Sequence, residues 1–509
     1  MEPQTNKREV FGLNDTLIEY DEETQMKRLK LLGIQRRLLY TCTGLPTFST
    51  LQSKFKMILF HLVSNVLVFW FIPHTITQFM ALYQHMNDIE LLADLVFQIA
   101  LYIQTGTMAF FFRFTRKELS NYFELLETQF VPNLKELGLS IEHKQMVKNH
   151  IRYGNFMIRI LFGHWCWILF SWAILPAFTG YYDMYTQFDQ FRNESLTLTN
   201  ASITITDEYR KYFGILIWLP NNIDQFPVFE LFYLFDFVGT YGVSSWCASQ
   251  VSVSLVLMHN LSLHFKLLIA SIDNLDIVIL KTLDMQKVSH TTISESHDKS
   301  AVDSQFQPDL AANQERSNRI QNLTKATSKV STAKNNLIIS SSRDQQLHLS
   351  REHEEIVFNY LVQCIKYHQA LLGFCEDINK YLGPVLLIFF LGYEAMVIFS
   401  AVRLAMGLSE GNFKFFSSVV YVIFWPLVIC SVGQDLTNQS ENVQFAAYNS
   451  RWYNHSTRIK KQFQMMIMRA QKPVKISVGK FYSVSLETYS DMGNKVYAIF
   501  TLLKRMMAE

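Results

Sequence analysis

The stretch Lys480–Met507 reads KFYSVSLETYSDMGNKVYAIFTLLKRMM. Its second half has the apolar density of a membrane span. Its first half carries Ser483, Ser485, Glu487, Thr488, Ser490, Asp491, Asn494 and Lys495. A charged side chain at the bilayer centre costs about 2.5–3.5 kcal/mol even on a lenient insertion scale. Such a helix spans a membrane only if part of it faces something other than lipid. Ser483, Glu487, Ser490, Asn494, Tyr497, Thr501 and Lys504 follow at alternating steps of 4 and 3, which puts them on one stripe of a helix. Val484, Val496, Ile499 and Leu503 lie off that stripe. The expectation is a helix with one wet face.

The rest of the chain agrees with a membrane setting. Of 509 residues 49% are hydrophobic and 14% aromatic, with 41 Phe and 18% charged, against about 25% charged in soluble domains. The net charge of +2 and the lack of a basic patch argue against a nucleic-acid partner. Cys42, Cys166, Cys247, Cys364, Cys375 and Cys430 make neither a disulfide framework nor a zinc site. No metal and no cofactor is expected. The start, MEPQTNKREVFGLNDT, has no apolar run of the signal-peptide kind.

Seven apolar windows approach span length: Met57–Tyr83, Leu91–Phe114, Met157–Phe178, Phe229–Met258, Leu382–Met406, Phe415–Val432 and Phe481–Met506. Polar residues interrupt several of them, among them Asp94, Gln98, Gln104, Arg159, His164, Asp236 and Glu394. Residues of this kind normally face a bundle interior or a water-filled cavity. The fold class expected is an all-α membrane protein with seven transmembrane helices. The segment before the first span holds nine basic residues, and the link QHMNDIE after it holds none. The positive-inside rule then puts the N-terminus in the cytoplasm and the C-terminus outside. The sequons at Asn193 and Asn200 fall in an outer loop on this topology, where they can be glycosylated.

The chain divides accordingly. Residues 1–56 form a cytoplasmic segment, and 57–258 hold helices one to four with the outer loop 179–226. Residues 259–381 form cytoplasmic helical extensions around a disordered insert at about 287–350, which is rich in Ser, Thr, Asn, Gln and Lys. Residues 382–432 hold helices five and six, 433–480 a cytoplasmic anchor helix, and 481–509 the seventh helix with its wet face. Within the anchor, Glu441–Ala470 reads as one helix stopped by Pro473, with Ile459, Phe463, Met466 and Ala470 as an apolar seam. That seam suits either a coiled coil or packing on its own subunit.

No enzyme signature stands up. GLSEG (Gly407–Gly411) matches G-x-S-x-G but lacks the strand-turn-helix setting of a nucleophile elbow. No metalloprotease, phosphate-loop or dinucleotide fingerprint is present. The chain reads as a non-enzyme.

The last third resembles the insect odorant receptor family. The matching elements are Ala446-Ala447-Tyr448, Trp452, Arg469-Ala470-Gln471-Lys472-Pro473, Gly479-Lys480-Phe481-Tyr482, Ser485-Leu486-Glu487-Thr488-Tyr489, and Tyr497-Ala498-Ile499-Phe500-Thr501-Leu502-Leu503. Ala498 stands where that family commonly has Ser. Gustatory receptors end in a Thr-Tyr…Gln-Phe pattern, whereas this chain reads Val496-Tyr497, so the odorant branch fits better.

The resemblance implies an odorant-gated, non-selective cation channel. It implies four subunits around one pore, with the olfactory co-receptor (Orco) as partner, in the plasma membrane of olfactory sensory neurons. It implies a pocket for a small volatile organic ligand in the outer half of the membrane. Inward-looking candidates there are Leu95, Ile99, Trp167, Phe170, Ser171, Ile174, Tyr233, Phe237, Tyr241, Val420, Tyr421 and Phe424. The pore candidates are Asn494, Tyr497, Phe500, Thr501 and Lys504, with Phe500 and Tyr497 as a hydrophobic constriction. A heptahelical receptor acting through a cytoplasmic transducer, a gustatory-type homomeric channel and a transporter are the alternatives.

Overall fold

A computed structural model describes residues 18–21, 26–29, 32–41, 53–137, 141–176, 178, 209–210, 212–223, 225–275, 351–406 and 412–508. The sequons at Asn193 and Asn200, the 287–350 insert and GLSEG lie outside the described residues. A hairpin of β1 (Ile18–Asp21) and β2 (Met26–Leu29) precedes helix α1 (Gly33–Thr41). Then come α2 (Lys54–Phe69), α3 (Phe71–Gln84), α4 (Ile89–Phe114), α5 (Arg116–Thr128), α6 (Val131–Leu137) and α7 (Ile141–Leu169). A π turn, Phe170–Ile174, ends α7. The long helices α8 (Val228–Asp273), α9 (Arg351–Met406) and α10 (Asn412–Asn449) follow. The chain closes with α11 (Thr457–Ala470), a hairpin of β3 (Ser477–Val478) and β4 (Tyr482–Ser483), and α12 (Leu486–Ala508).

Among the described residues six helical segments are long and apolar enough to cross a membrane: Lys54–Gln84, Leu91–Phe114, His143–Ile174, Val228–Asp273, Glu354–Ser400 and Val419–Asn449. At 1.5 Å per residue, the 46 residues of α8 reach about 69 Å, more than twice a hydrocarbon core of about 30 Å. The expected helical extensions of spans four and five are therefore continuous with their spans. Helix α8 is the central post. Every residue from Gly242 to Met258 is buried, and Gly242, Ser244, Ser245, Ala248, Ser249, Ser252 and Ser254 are small enough to let neighbouring helices approach.

Toward the end of that post His264 Nδ1 meets the Tyr367 hydroxyl at 2.9 Å, and the buried Phe130 ring packs against both rings. Arg116, at the start of α5, is buried beside Ser64 and the ring of Phe60. Burial and the nearby Arg113 lower it to about 10, so it stays protonated at neutral pH.

Four boundaries differ from the sequence expectation. The first span is two helices joined at Trp70, because Pro73 in the first turn of α3 has no N–H to continue the ladder. Helix α10 runs unbroken past 432 to Asn449. The helix expected from Glu441 to Ala470 is interrupted at 450–456, where Ser450 Oγ turns back to donate to Ala447 O and Ser456 caps α11 with extended backbone. The seam of Ile459, Phe463, Met466 and Ala470 is buried against α9 and α10 of the same chain.

The final helix starts at Leu486, not Phe481, so Ser483 belongs to β4 and drops out of the polar stripe. Gly479 and Lys480 turn that hairpin with φ of 54° and 71°. A Cβ on Gly479 would also sit 2.6 Å from Leu387 of α9, so both backbone and space require glycine there. Ser485 Oγ accepts from Thr488 N at 3.2 Å and starts α12.

Candidate functional site

Among the described residues the helices surround a cavity of about 60 Å³. Helix α4 contributes Phe97, Gln98, Leu101 and Tyr102, and α7 contributes Leu161, His164, Trp165 and Ile168. Helix α8 adds Thr240, Val243, Ser244, Cys247 and Ala248; α9 adds Met396; α10 adds Tyr421, Val422 and Trp425. The residues from α7 recur at 161, 164, 165 and 168, one helical face, and the π turn then brings in Trp172.

Ile215 enters from a strap, Tyr212–Leu219, that crosses the end of the bundle with Tyr212, Phe213, Ile215, Ile217 and Leu219 buried. Backbone hydrogen bonds pin the strap. Gly214 N donates to Asp236 Oδ2 at 2.7 Å, Leu216 N to Gln98 Oε1 at 2.7 Å, and Trp218 N to Thr77 O at 3.0 Å.

The polar groups beside the cavity are buried and ordered. Asp236 is 1% exposed, and its Oδ1 lies 3.6 Å from His74 Nε2. The His74 ring is stacked between Tyr102 and Phe235, at 4.7 and 5.0 Å. Within the cavity wall Thr105 Oγ1 meets Cys247 Sγ at 3.3 Å, and Trp425 Nε1 donates to His164 Nδ1 at 3.3 Å. Among the described residues no group of three or more His, Cys, Asp or Glu is placed to hold a metal. The site is suited to non-covalent capture of a small apolar body. An engineered apolar cavity of about 150 Å³ takes benzene, so a ligand of that size enters here only when lining side chains move. Met396, unbranched and adaptable, is well suited to move.

The sequence model of the 7tm odorant receptor family matches residues 88–497. The chain belongs to the 7tm odorant receptor family. It is 30% identical over 151 residues to putative odorant receptor 85d of Drosophila melanogaster, which covers 29% of this chain and 36% of that protein. It is 30% identical over 159 residues to Drosophila odorant receptor 30a, covering 31% of this chain and 42% of that one. To odorant receptor Or2 of Anopheles gambiae it is 28% identical over 157 residues, 30% and 40% of the two chains. The matched stretch thus spans well under half the length of these relatives. In fold, the chain is similar to the olfactory receptor OR5 of Machilis hrabei, solved in complex with eugenol. The TM-score is 0.62 at 14% identity, over 94% of this chain and 98% of that one. The family is one of receptors, in line with the reading as a non-enzyme.

In this odorant receptor the expected pocket residues fall in several places. Tyr421 lines the cavity. Leu95 and Ile99 are buried in α4, but they are not among the residues that line the cavity. Ser171 is buried and donates to Ile168 O at 3.1 Å. Tyr233 is half-buried, with its hydroxyl on Ala173 O, and Tyr241 packs edge-on against Trp165. Trp167, Phe170, Ile174, Phe237, Val420 and Phe424 are exposed on the outside of the subunit. The structure does not bring these twelve side chains together.

The residues that line the cavity and were passed over include Gln98 and His164. The signal for them was present: both are polar interruptions of apolar spans. On α12, Glu487, Ser490, Asn494, Tyr497 and Thr501 are exposed, with Tyr497 at 71%, and Phe500 is half-exposed. The Lys504 side chain lies outside the described residues.

Proposed function

We propose that this odorant receptor is a subunit of an odorant-gated, non-selective cation channel. A small volatile organic ligand occupies the cavity between α4, α7, α8 and α10, and the exposed stripe of α12 lines a central pore. The working assembly is a heterotetramer with the olfactory co-receptor (Orco) in the plasma membrane of olfactory sensory neurons. The N-terminus lies in the cytoplasm, α12 is the seventh span, and Asn193 and Asn200 carry glycans outside. Supporting this orientation is the basic segment before α2.

The observation that carries the reading is an almost wholly apolar cavity inside a fold shared with an olfactory receptor solved with eugenol. Apolar walls reward buried area, at about 25 cal/mol per Å², and so suit volatile ligands. The test is whole-cell recording with a panel of volatiles, with and without the co-receptor. Odorant-evoked cation current only in the co-expressing cells is expected. A surface-accessible N-terminal tag, or responses that need a cytoplasmic transducer, would overturn it.

A further inference from the structure

Three side chains of the cavity wall carry polar atoms that are shut off from solvent and have no hydrogen-bond partner: Tyr102 Oη, Thr240 Oγ1 and Trp165 Nε1. An indole N–H only donates, and a phenol or alcohol hydroxyl donates readily. Buried polar groups without partners are few in folded proteins, and each is costly. Tyr102 Oη lies 2.9 Å from where a Cβ on Gly239 would stand, and Thr240 is the next residue. Asp236, one helical turn before Thr240, also leaves Oδ1 without a hydrogen bond. Most of the remaining wall is apolar, and Gln98 Oε1 is engaged with Leu216 N, Ser244 Oγ with Tyr241 O, Cys247 Sγ with Thr105 and His164 Nδ1 with Trp425 Nε1.

We infer that the cavity selects small ligands that carry a hydrogen-bond-accepting oxygen, an alcohol or a carbonyl, and discriminates against hydrocarbons of the same shape. The oxygen accepts from one or two of Trp165, Tyr102 and Thr240, while the carbon skeleton fills the apolar remainder. This rests on the cavity being the ligand site of the proposed channel. A hydrocarbon in the same place leaves the three donors unpaired. A site built to hydrogen-bond a ligand oxygen rejects the analogue that lacks it more strongly than a hydrophobic pocket rejects a lost methylene.

The test uses the purified full chain with its co-receptor in lipid nanodiscs. Affinity is read by thermal stabilisation for three matched pairs: benzyl alcohol against ethylbenzene, acetophenone against cumene, and hexan-2-one against 2-methylhexane. In the wild type the oxygenated member of at least one pair binds about ten-fold or more tighter than its hydrocarbon. Tyr102→Phe, Thr240→Val and Trp165→Phe, combined, bring that ratio to within about three-fold, while the hydrocarbon still stabilises the variant measurably. The hydrocarbon thus reports that the variant is folded. Equal affinities in the wild type, a ratio that survives all three substitutions, or no stabilisation by any oxygenated member overturns the inference. Selective binding without evoked current leaves it standing and removes the channel reading. Equal currents from both members of every pair do the reverse.

Discussion

Asp236→Ala tests what holds the strap over the cavity. Asp236 is buried in α8, and its Oδ2 accepts from Gly214 N at 2.7 Å. Alanine leaves that buried N–H with no acceptor, a cost of about 1–3 kcal/mol. A global melt reads this poorly in a large membrane protein, because the strap is free to open while the bundle holds. Hydrogen exchange reads it directly. An opening made easier by about 1–3 kcal/mol speeds exchange of the Tyr212–Leu219 amides by about 5- to 150-fold. Asp236→Asn keeps an acceptor oxygen and stays within a few-fold of wild type. Gln98→Ala, which removes the acceptor of Leu216 N, loosens the same segment independently. The reasoning fails if Asp236→Ala leaves strap exchange within two-fold of wild type, or if Ala and Asn behave alike.

Other outcomes follow from single contacts. Gly239→Ala places a Cβ 2.2 Å from His74 Cδ2 and 2.9 Å from Tyr102 Oη, so it destabilises by about 1–3 kcal/mol or more and lowers the yield of folded protein on size exclusion; Gly163→Ala, with nothing within 4 Å, leaves that yield unchanged. Tyr489→Phe removes the hydroxyl that α12 donates to Ile423 O at 3.1 Å, three residues before the helix-interior Pro426. Ligand affinity by thermal stabilisation stays within about two-fold, while the odorant concentration for half-maximal current rises about 2- to 10-fold. Tyr497→Ser and Phe500→Ser raise resting current more than Ile499→Ser does, and resistance of cysteines at 494, 497, 500 and 501 to water-soluble thiol reagents in the open channel would remove α12 from the pore.

The sequence by itself determined the membrane class, most of the span positions and the family. Span-length apolar runs have no other use on this scale, and the C-terminal motif residues are tied to backbone geometry. Gly479 is needed for its turn and for its approach to Leu387, and Ser485 for its cap. Polar residues inside spans also pointed inward: Gln98 and His164 reach the cavity, and Asp236 reaches the strap. Arg159 does not, and stays exposed.

Which aromatic face lines the cavity was decided only by tertiary structure. In a soluble helix the polar side marks the outside, but lipid is as apolar as a protein core, so Trp165 inside and Trp167 outside look alike in sequence. The fit of the strap against Asp236, the burial of the α11 seam on α9 and α10 and the docking of β3 on α9 also depend on contacts far apart in the chain. No local pattern of residues encodes those contacts, because each is fixed by how distant helices pack.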